Sequence, residues 1–176
     1  MKKDLFAGEA NEEYFQIKPH HFLDYLYDLG VDYRHDDEIN VFGSNNGKLC
    51  RAFIDGKMTK IRFTPFVDDI CRPCKKLAEG VRCIDVFDDD TTLYYGFRYK
   101  NDFNYQLDIK LNSALPDVFC FDKVWDMIDL LSELEKRLTA EIIDLYKWRR
   151  PERVEKTFSG IEKGKKIYSL QTKKAV

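Results

Sequence analysis

Long apolar runs, an excess of one charge sign and low-complexity stretches are all missing from this sequence. No segment approaches the roughly 20 consecutive apolar residues that span a bilayer, so no membrane association is expected. Basic and acidic side chains nearly cancel, 29 against 31, which removes any whole-chain argument for nucleic acid. Nine glycines and five prolines among 176 residues exclude a collagen-like or Pro/Gly-rich disordered chain. The first ten residues contain no apolar core and soon turn acidic, so no secretory signal is expected and a soluble, cytoplasmic protein is the reading. Nucleophile–base–acid constellations, phosphate-cradling loops and dinucleotide fingerprints are missing as well. Gly160 and Gly164 bracket Ile161-Glu162-Lys163 in a charged stretch, without the strand–turn–helix context of a phosphate loop. No specific enzymatic reaction follows from such a chain.

What is present is an aromatic-rich, single-domain composition with thirteen Phe, ten Tyr and two Trp residues. After a polar lead-in to residue 16, Pro19 precedes Phe22, Leu23, Leu26 and Leu29 at helical spacing, and Gly30 follows as a stop. A short helix from near His20 to Gly30 is expected. The stretch 36–56 carries both a helix signal in Asp36-Asp37-Glu38 and a turn signal in Gly43-Ser44-Asn45-Asn46-Gly47. Lys60 to Thr64 alternates as a strand before Pro65. Residues 84–111, rich in aromatic and β-branched side chains, suggest a hairpin turning at Lys100-Asn101-Asp102. From an N-cap at Asp122, the residues Val124, Met127, Ile128, Leu131, Leu134, Leu138, Ile142 and Leu145 mark one long amphipathic helix to Tyr146, closed by Pro151. The fold class is α+β: N-terminal helices, a cysteine-rich loop with a small sheet, then that long helix.

Charge divides the chain into two parts. Residues 147–176 hold ten basic and three acidic side chains, which leaves the first 146 residues at −9 within a total of −2. The expected organisation is a metal-binding domain over 1–146 and a basic C-terminal tail over 147–176. In that tail Arg149, Arg150, Arg153, Lys165 and Lys166 are candidates for contact with a partner, nucleic acid included, with aromatic groups interleaved.

Five cysteines, an odd number, are better read in a reducing compartment as metal ligands or reactive thiols than as disulfides. The chemistry concentrates in Asp68-Asp69-Ile70-Cys71-Arg72-Pro73-Cys74, with Cys83 after eight more residues. A Cys-x-x-Cys turn lets two sulfurs reach one ion. Arg72, Lys75, Lys76 and Arg82 surround the three thiols and favour thiolate. Three cysteines leave a fourth ligand to be found among His20, His21, Asp24, Cys50 and Cys120. Zinc accepts three cysteines and a histidine, whereas iron–sulfur clusters prefer four cysteines. Cys50 and Cys120 lie beside apolar groups and read as small core residues.

Lys18-Pro19-His20-His21-Phe22-Leu23, followed by Asp68-Asp69-Ile70-Cys71-Arg72-Pro73-Cys74 and Cys83, resembles the bacterial and archaeal domain-of-unknown-function family 1284. The resemblance covers roughly residues 16–86. It implies an iron–sulfur protein of uncharacterised activity, a helix over 38–54, and a metal set of Cys71, Cys74, Cys83 and His21. Asp24 stands where the family has cysteine, which makes it a candidate oxygen ligand and weakens an all-cysteine cluster. The expected function is therefore an iron–sulfur protein with a redox partner or a larger complex. The alternative is a structural zinc module that binds a protein or nucleic acid.

Overall fold

The computed structural model of the chain describes residues 14–33, 42–86, 96–146 and 152–172. The architecture is α+β, as composition and periodicity predict. Strand β1 (Phe15–Ile17) leads into helix α1 (Pro19–Gly30), helix α2 (Asn46–Ile54) and strand β2 (Lys60–Phe63). The short strands β3 (Leu77–Ala78) and β4 (Arg82–Cys83) carry the cysteine segment. Helix α3 (Lys100–Ala114), strand β5 (Val124–Asp126), helices α4 (Met127–Arg137) and α5 (Ala140–Ile143), a 3-10 turn (Asp144–Tyr146) and helix α6 (Arg153–Thr172) follow.

The main sheet has the order β1-β2-β5. β1 runs parallel to β2, with Phe15 opposite Ile61, and α1 and α2 form the crossover such a pair needs. β5 runs antiparallel to β2, with Trp125 opposite Ile61. Ile61 and Phe63 of β2 point into the core, while Lys60 and Arg62 are only half-buried. This is the alternation expected of that strand.

Helix α1 is buried around nearly its whole circumference, with Phe22, Leu23, Tyr25, Leu26, Tyr27 and Leu29 out of solvent. A helix apolar on all sides belongs in the centre of a fold. Phe22 meets Phe53 of α2 and Phe63 of β2 edge-on, each at 5.7 Å between centroids. Phe63 in turn meets Phe119 at 5.2 Å, a T-shaped geometry that favours the ring quadrupoles.

Helix α6 closes the other side of α1. A Cβ placed on Gly160 would lie 1.7 Å from the Leu26 carbonyl oxygen, and one on Gly30 would lie 1.9 Å from that of Lys156. Two helices this close admit only glycine at the crossing. Ile161 and Thr157 are buried in the same contact, and the Tyr168 hydroxyl donates to the Phe53 carbonyl at 2.9 Å. The basic tail inferred from charge is thus, over Arg153–Thr172, an integral helix of the core. Its cations are matched to the acidic body: Lys163 to Asp32, Lys165 to Glu135, Arg153 to Asp24.

Two further expectations are corrected. The hairpin turning at Lys100–Asp102 is instead the start of α3. Phe103, Leu107 and Leu111 recur every four residues and are buried, so helical periodicity prevails over aromatic content. Residues 87–95 of that proposed hairpin lie outside the described residues, although Val86 bridges Tyr99 in antiparallel fashion. The single helix over 122–146 is broken into three pieces. Val124–Asp126 is taken up by β2 as an edge strand. Leu138 is extended, and Thr139 starts α5 by accepting from the Ile142 N–H through its hydroxyl. Of the expected 38–54 helix, the part from Asn46 forms, immediately after a turn with Gly43 at φ +69°. Residues 34–41 lie outside the described residues.

Candidate metal centre

Two buried carboxylates organise the start of α1. Lys18 is extended and Pro19 occupies the first helical position, so the exposed amides of the first turn have no capping side chain of their own. Remote residues take that role. Asp108 of α3 accepts from the His20 backbone N–H at 2.9 Å, and from its ring Nδ1 at 2.8 Å. Asp68 accepts from the Lys18 N–H at 3.0 Å and from His21 Nδ1 at 2.6 Å. Both aspartates and His20 are fully buried. Burial pushes the Asp108 carboxyl up to about 8, so the negative charge that complements the helix dipole here is that of Asp68.

Asp68 also shapes the cysteine turn. Its Oδ1 accepts from the Cys71 N–H at 3.0 Å, while its backbone carbonyl accepts from Cys71 and Arg72. Asp69 ties the same loop to the sheet: its Oδ2 accepts from the Gln16 N–H at 2.8 Å, and its own N–H donates back to Gln16. Asn45 holds the other side through Asp69 O and Ile70 O. Asp68 and Asp69 together shape the turn before Cys71. The turn itself closes with Cys74 N–H on Cys71 O at 2.9 Å, and Leu77 N–H then reaches Cys74 O. Cys83 sits opposite Leu77 in the β3–β4 ladder, with Glu79 and Gly80 in left-handed conformation at the tip.

These ties bring one nitrogen, one oxygen and one sulfur together. Ligand atoms of His21, Asp68 and Cys71 all lie within 4.8 Å of one another. His21 retains some exposure, at 20% of its side chain, while Asp68 has none. Burial would push the Asp68 carboxyl up, but the neighbouring His21 and then Lys18 hold it well below the ordinary carboxylate range. Burial and the adjacent Asp68 charge push the Cys71 thiol far up, so the basic side chains nearby do not make it a thiolate by themselves. A cation placed among the three would reverse that balance, since a coordinating thiol is deprotonated by the metal.

The remaining sequence candidates are distributed differently. Cys74 ends the turn and Cys83 lies in β4, but neither joins the group within 4.8 Å, and neither does Asp24. Asp24 instead accepts from both terminal nitrogens of Arg153 at 3.2 Å, so the position equivalent to the resembled family's cysteine anchors α6. Cys50 is completely buried, as expected of a core residue, and burial raises its thiol to about 12. Cys120 is half-buried.

Of the five residues assigned to a partner surface, Arg149 and Arg150 lie outside the described residues. Arg153 is buried, which corrects its assignment to an exposed surface. Lys165 and Lys166 are in ion pairs with Glu135 and Glu162. The residue that sequence reasoning undervalued is Asp68. Its signal was present in Asp-x-x-Cys, the spacing at which a capping aspartate accepts from the backbone three residues on. Asp108 had no local signal, because its partner lies 88 residues away.

Among the described residues no helix is long and apolar enough to cross a membrane. Searches against protein-family models, curated proteins and solved structures find no match to this chain.

Proposed function

We propose that the protein binds a single divalent metal ion of the zinc class, held by His21, Asp68 and Cys71. The observation that carries this reading is the convergence of those three donors within 4.8 Å from two segments nearly fifty residues apart. One imidazole, one carboxylate and one thiol suit a borderline ion such as zinc. An iron–sulfur cluster would draw on Cys71, Cys74 and Cys83 with Asp24 as the fourth ligand. That set is supported less well, because Asp24 is engaged by Arg153 and the three thiols do not form a group at that distance. Both motifs of the family resemblance meet at this point, through Lys18 and His21 on Asp68.

Bound there, the ion would supply positive charge to a buried carboxylate and thiolate and tie the first turn of α1 to the 64–86 loop. The chain's own residues do the rest. Asp68 orients the His21 ring, and Asp69 and Asn45 hold the loop in place. His20 and Asp108 fix the helix end from which His21 projects. Asp68 would thus act as ligand and clamp together, keeping its hydrogen bonds from the Lys18 and Cys71 amides while a further lone pair meets the ion.

Metal analysis of anaerobically purified full-length protein tests this. About one zinc per chain is expected, and cobalt substitution should show sulfur-to-metal absorption that Cys71→Ser abolishes. Brown protein with stoichiometric iron and sulfide would replace this reading with the cluster, and metal-free protein that ignores added zinc would overturn both.

A further inference from the structure

The cysteine turn carries a second chemistry. Cys71 and Cys74 occupy the first and fourth positions of a turn closed by the 2.9 Å Cys74 N–H to Cys71 O hydrogen bond. The ends of such a turn lie under about 7 Å apart at Cα, and disulfides span roughly 4.4–6.8 Å between Cα atoms. Both thiols are free and half-buried, so a small reagent can reach them. The backbone between them is restrained: Pro73 has a fixed φ and no N–H to satisfy. The other three cysteines are placed less favourably. Cys83 is held by its β-ladder register with Leu77 and by its N–H on Asn101, Cys50 is wholly buried, and Cys120 lies beyond α3.

We propose that Cys71 and Cys74 are a reversible disulfide site, oxidised by exchange with a low-molecular-weight disulfide, and that the bond withdraws Cys71 from the His21–Asp68–Cys71 group. The second half rests on the metal reading above; the first half does not. In the first step the Cys74 sulfur attacks one sulfur of the reagent R–S–S–R. That S–S bond breaks, and the leaving sulfur takes up the thiol proton as RSH. In the second step the Cys71 sulfur attacks the Cys74 sulfur of the mixed disulfide, and a second RSH departs. Two protein thiols are oxidised and one reagent disulfide is reduced to two thiols. A disulfide sulfur is not the thiolate that a metal binds, so metal and disulfide exclude one another at Cys71.

The experiment treats reduced full-length protein with oxidised glutathione, with and without zinc, and maps the products by tryptic mass spectrometry. Trypsin does not cut Arg72–Pro73, so residues 63–75 leave as one peptide containing both cysteines, with Cys83 in another. The expected result is loss of two hydrogens from peptide 63–75, reversed by dithiothreitol. Saturating zinc should slow it at least about tenfold, and the oxidised protein should release its zinc. Cys74→Ser should bind zinc like the wild type and never lose the two hydrogens. A bond to Cys83, or glutathione adducts that persist on unpaired Cys71 and Cys74, would overturn the disulfide site. Retention of zinc by the oxidised protein would overturn the exclusion. If peptide 63–75 oxidises while the reduced protein binds no zinc, the disulfide site stands and the metal reading falls.

Discussion

The crossing of α1 with α6 and the loop from Thr64 to Val86 sit on opposite terms with the rest of the molecule. The crossing is held by shape: Gly30 and Gly160 let two backbones approach until a single Cβ would collide with a carbonyl oxygen. The loop is held by charge and hydrogen bonds, concentrated on Asp68 and Asp69. Among the described residues it contributes one large buried apolar side chain, Ile70, while Phe66, Val81 and Ile84 are exposed. A segment with so little apolar burial depends on its polar ties for order. It is therefore the part of the fold that a metal or a change in thiol state can alter without unfolding the rest.

The largest effect is expected at the crossing. Gly160→Ala forces the Leu26 carbonyl to move, and a loss of about 3 kcal/mol, the upper end of overpacking penalties, should appear in urea denaturation. Gly164→Ala is the control. Its added methyl meets only the ends of flexible side chains, Leu131 at 3.1 Å and Leu29 at 3.7 Å, so it should lose far less. Equal effects at both positions would show that the backbone contact is not what limits α6.

Asp68→Asn should come next, at about 2 kcal/mol, the scale of a buried charged acceptor lost with its donors left in place. Its amide cannot accept from Lys18, His21 and Cys71 as the carboxylate does. Hydrogen exchange should quicken at Cys71 to Leu77 and stay unchanged in α6. Exchange that quickens equally in both regions would erase the contrast between them.

His21→Ala should reduce zinc affinity on the order of 100-fold while costing less stability than Asp68→Asn, since Asp68 would keep its hydrogen bonds from the Lys18 and Cys71 amides. Isothermal titration with zinc, run beside thermal melts, separates the two effects. A chelator should likewise loosen residues 64–86 and spare the crossing.

Acid should act on the loop mainly through Asp68, held well below the carboxylate range, and by a smaller amount through Asp85. Burial raises the Asp85 carboxyl, but hydrogen bonds from Lys76 and Lys100 outweigh this and hold it below its ordinary value. A depressed folded pKa means the stabilisation is present above the unfolded value, near 4, and is lost as pH falls below it. Asp85→Asn should flatten the acid limb of the stability curve slightly, and an unchanged acid limb would remove Asp85 from the loop's supports.

The parts of the fold that were legible in the sequence are those where periodicity and punctuation agree. α1 has Pro19 before it, Gly30 at its end and a dense apolar stripe, and β2 alternates cleanly. The misread parts are those where local signals compete. In 100–114 aromatic and β-branched residues imitate strands, although every fourth residue is apolar. In 122–146 one continuous stripe hides a strand and a break, because Val124–Asp126 is extended only by pairing with β2. The candidate site was half legible. Cys71 and His21 stood out as chemistry-bearing residues in recognisable motifs, whereas Asp24 was drawn towards the metal by analogy and is in fact Arg153's partner.

By itself the sequence determined the mixed fold class, the central helix, the absence of a long apolar span and the clustering of three cysteines in one segment. All of these follow from residue types and short-range spacing. Only the tertiary structure decided the rest. It folded an apparently solvated basic tail onto an acidic body, because opposite charges and paired glycines match across more than a hundred residues. It also chose Asp68, rather than a fourth cysteine, to meet Cys71 and His21, because a buried carboxylate must find donors wherever the chain brings them.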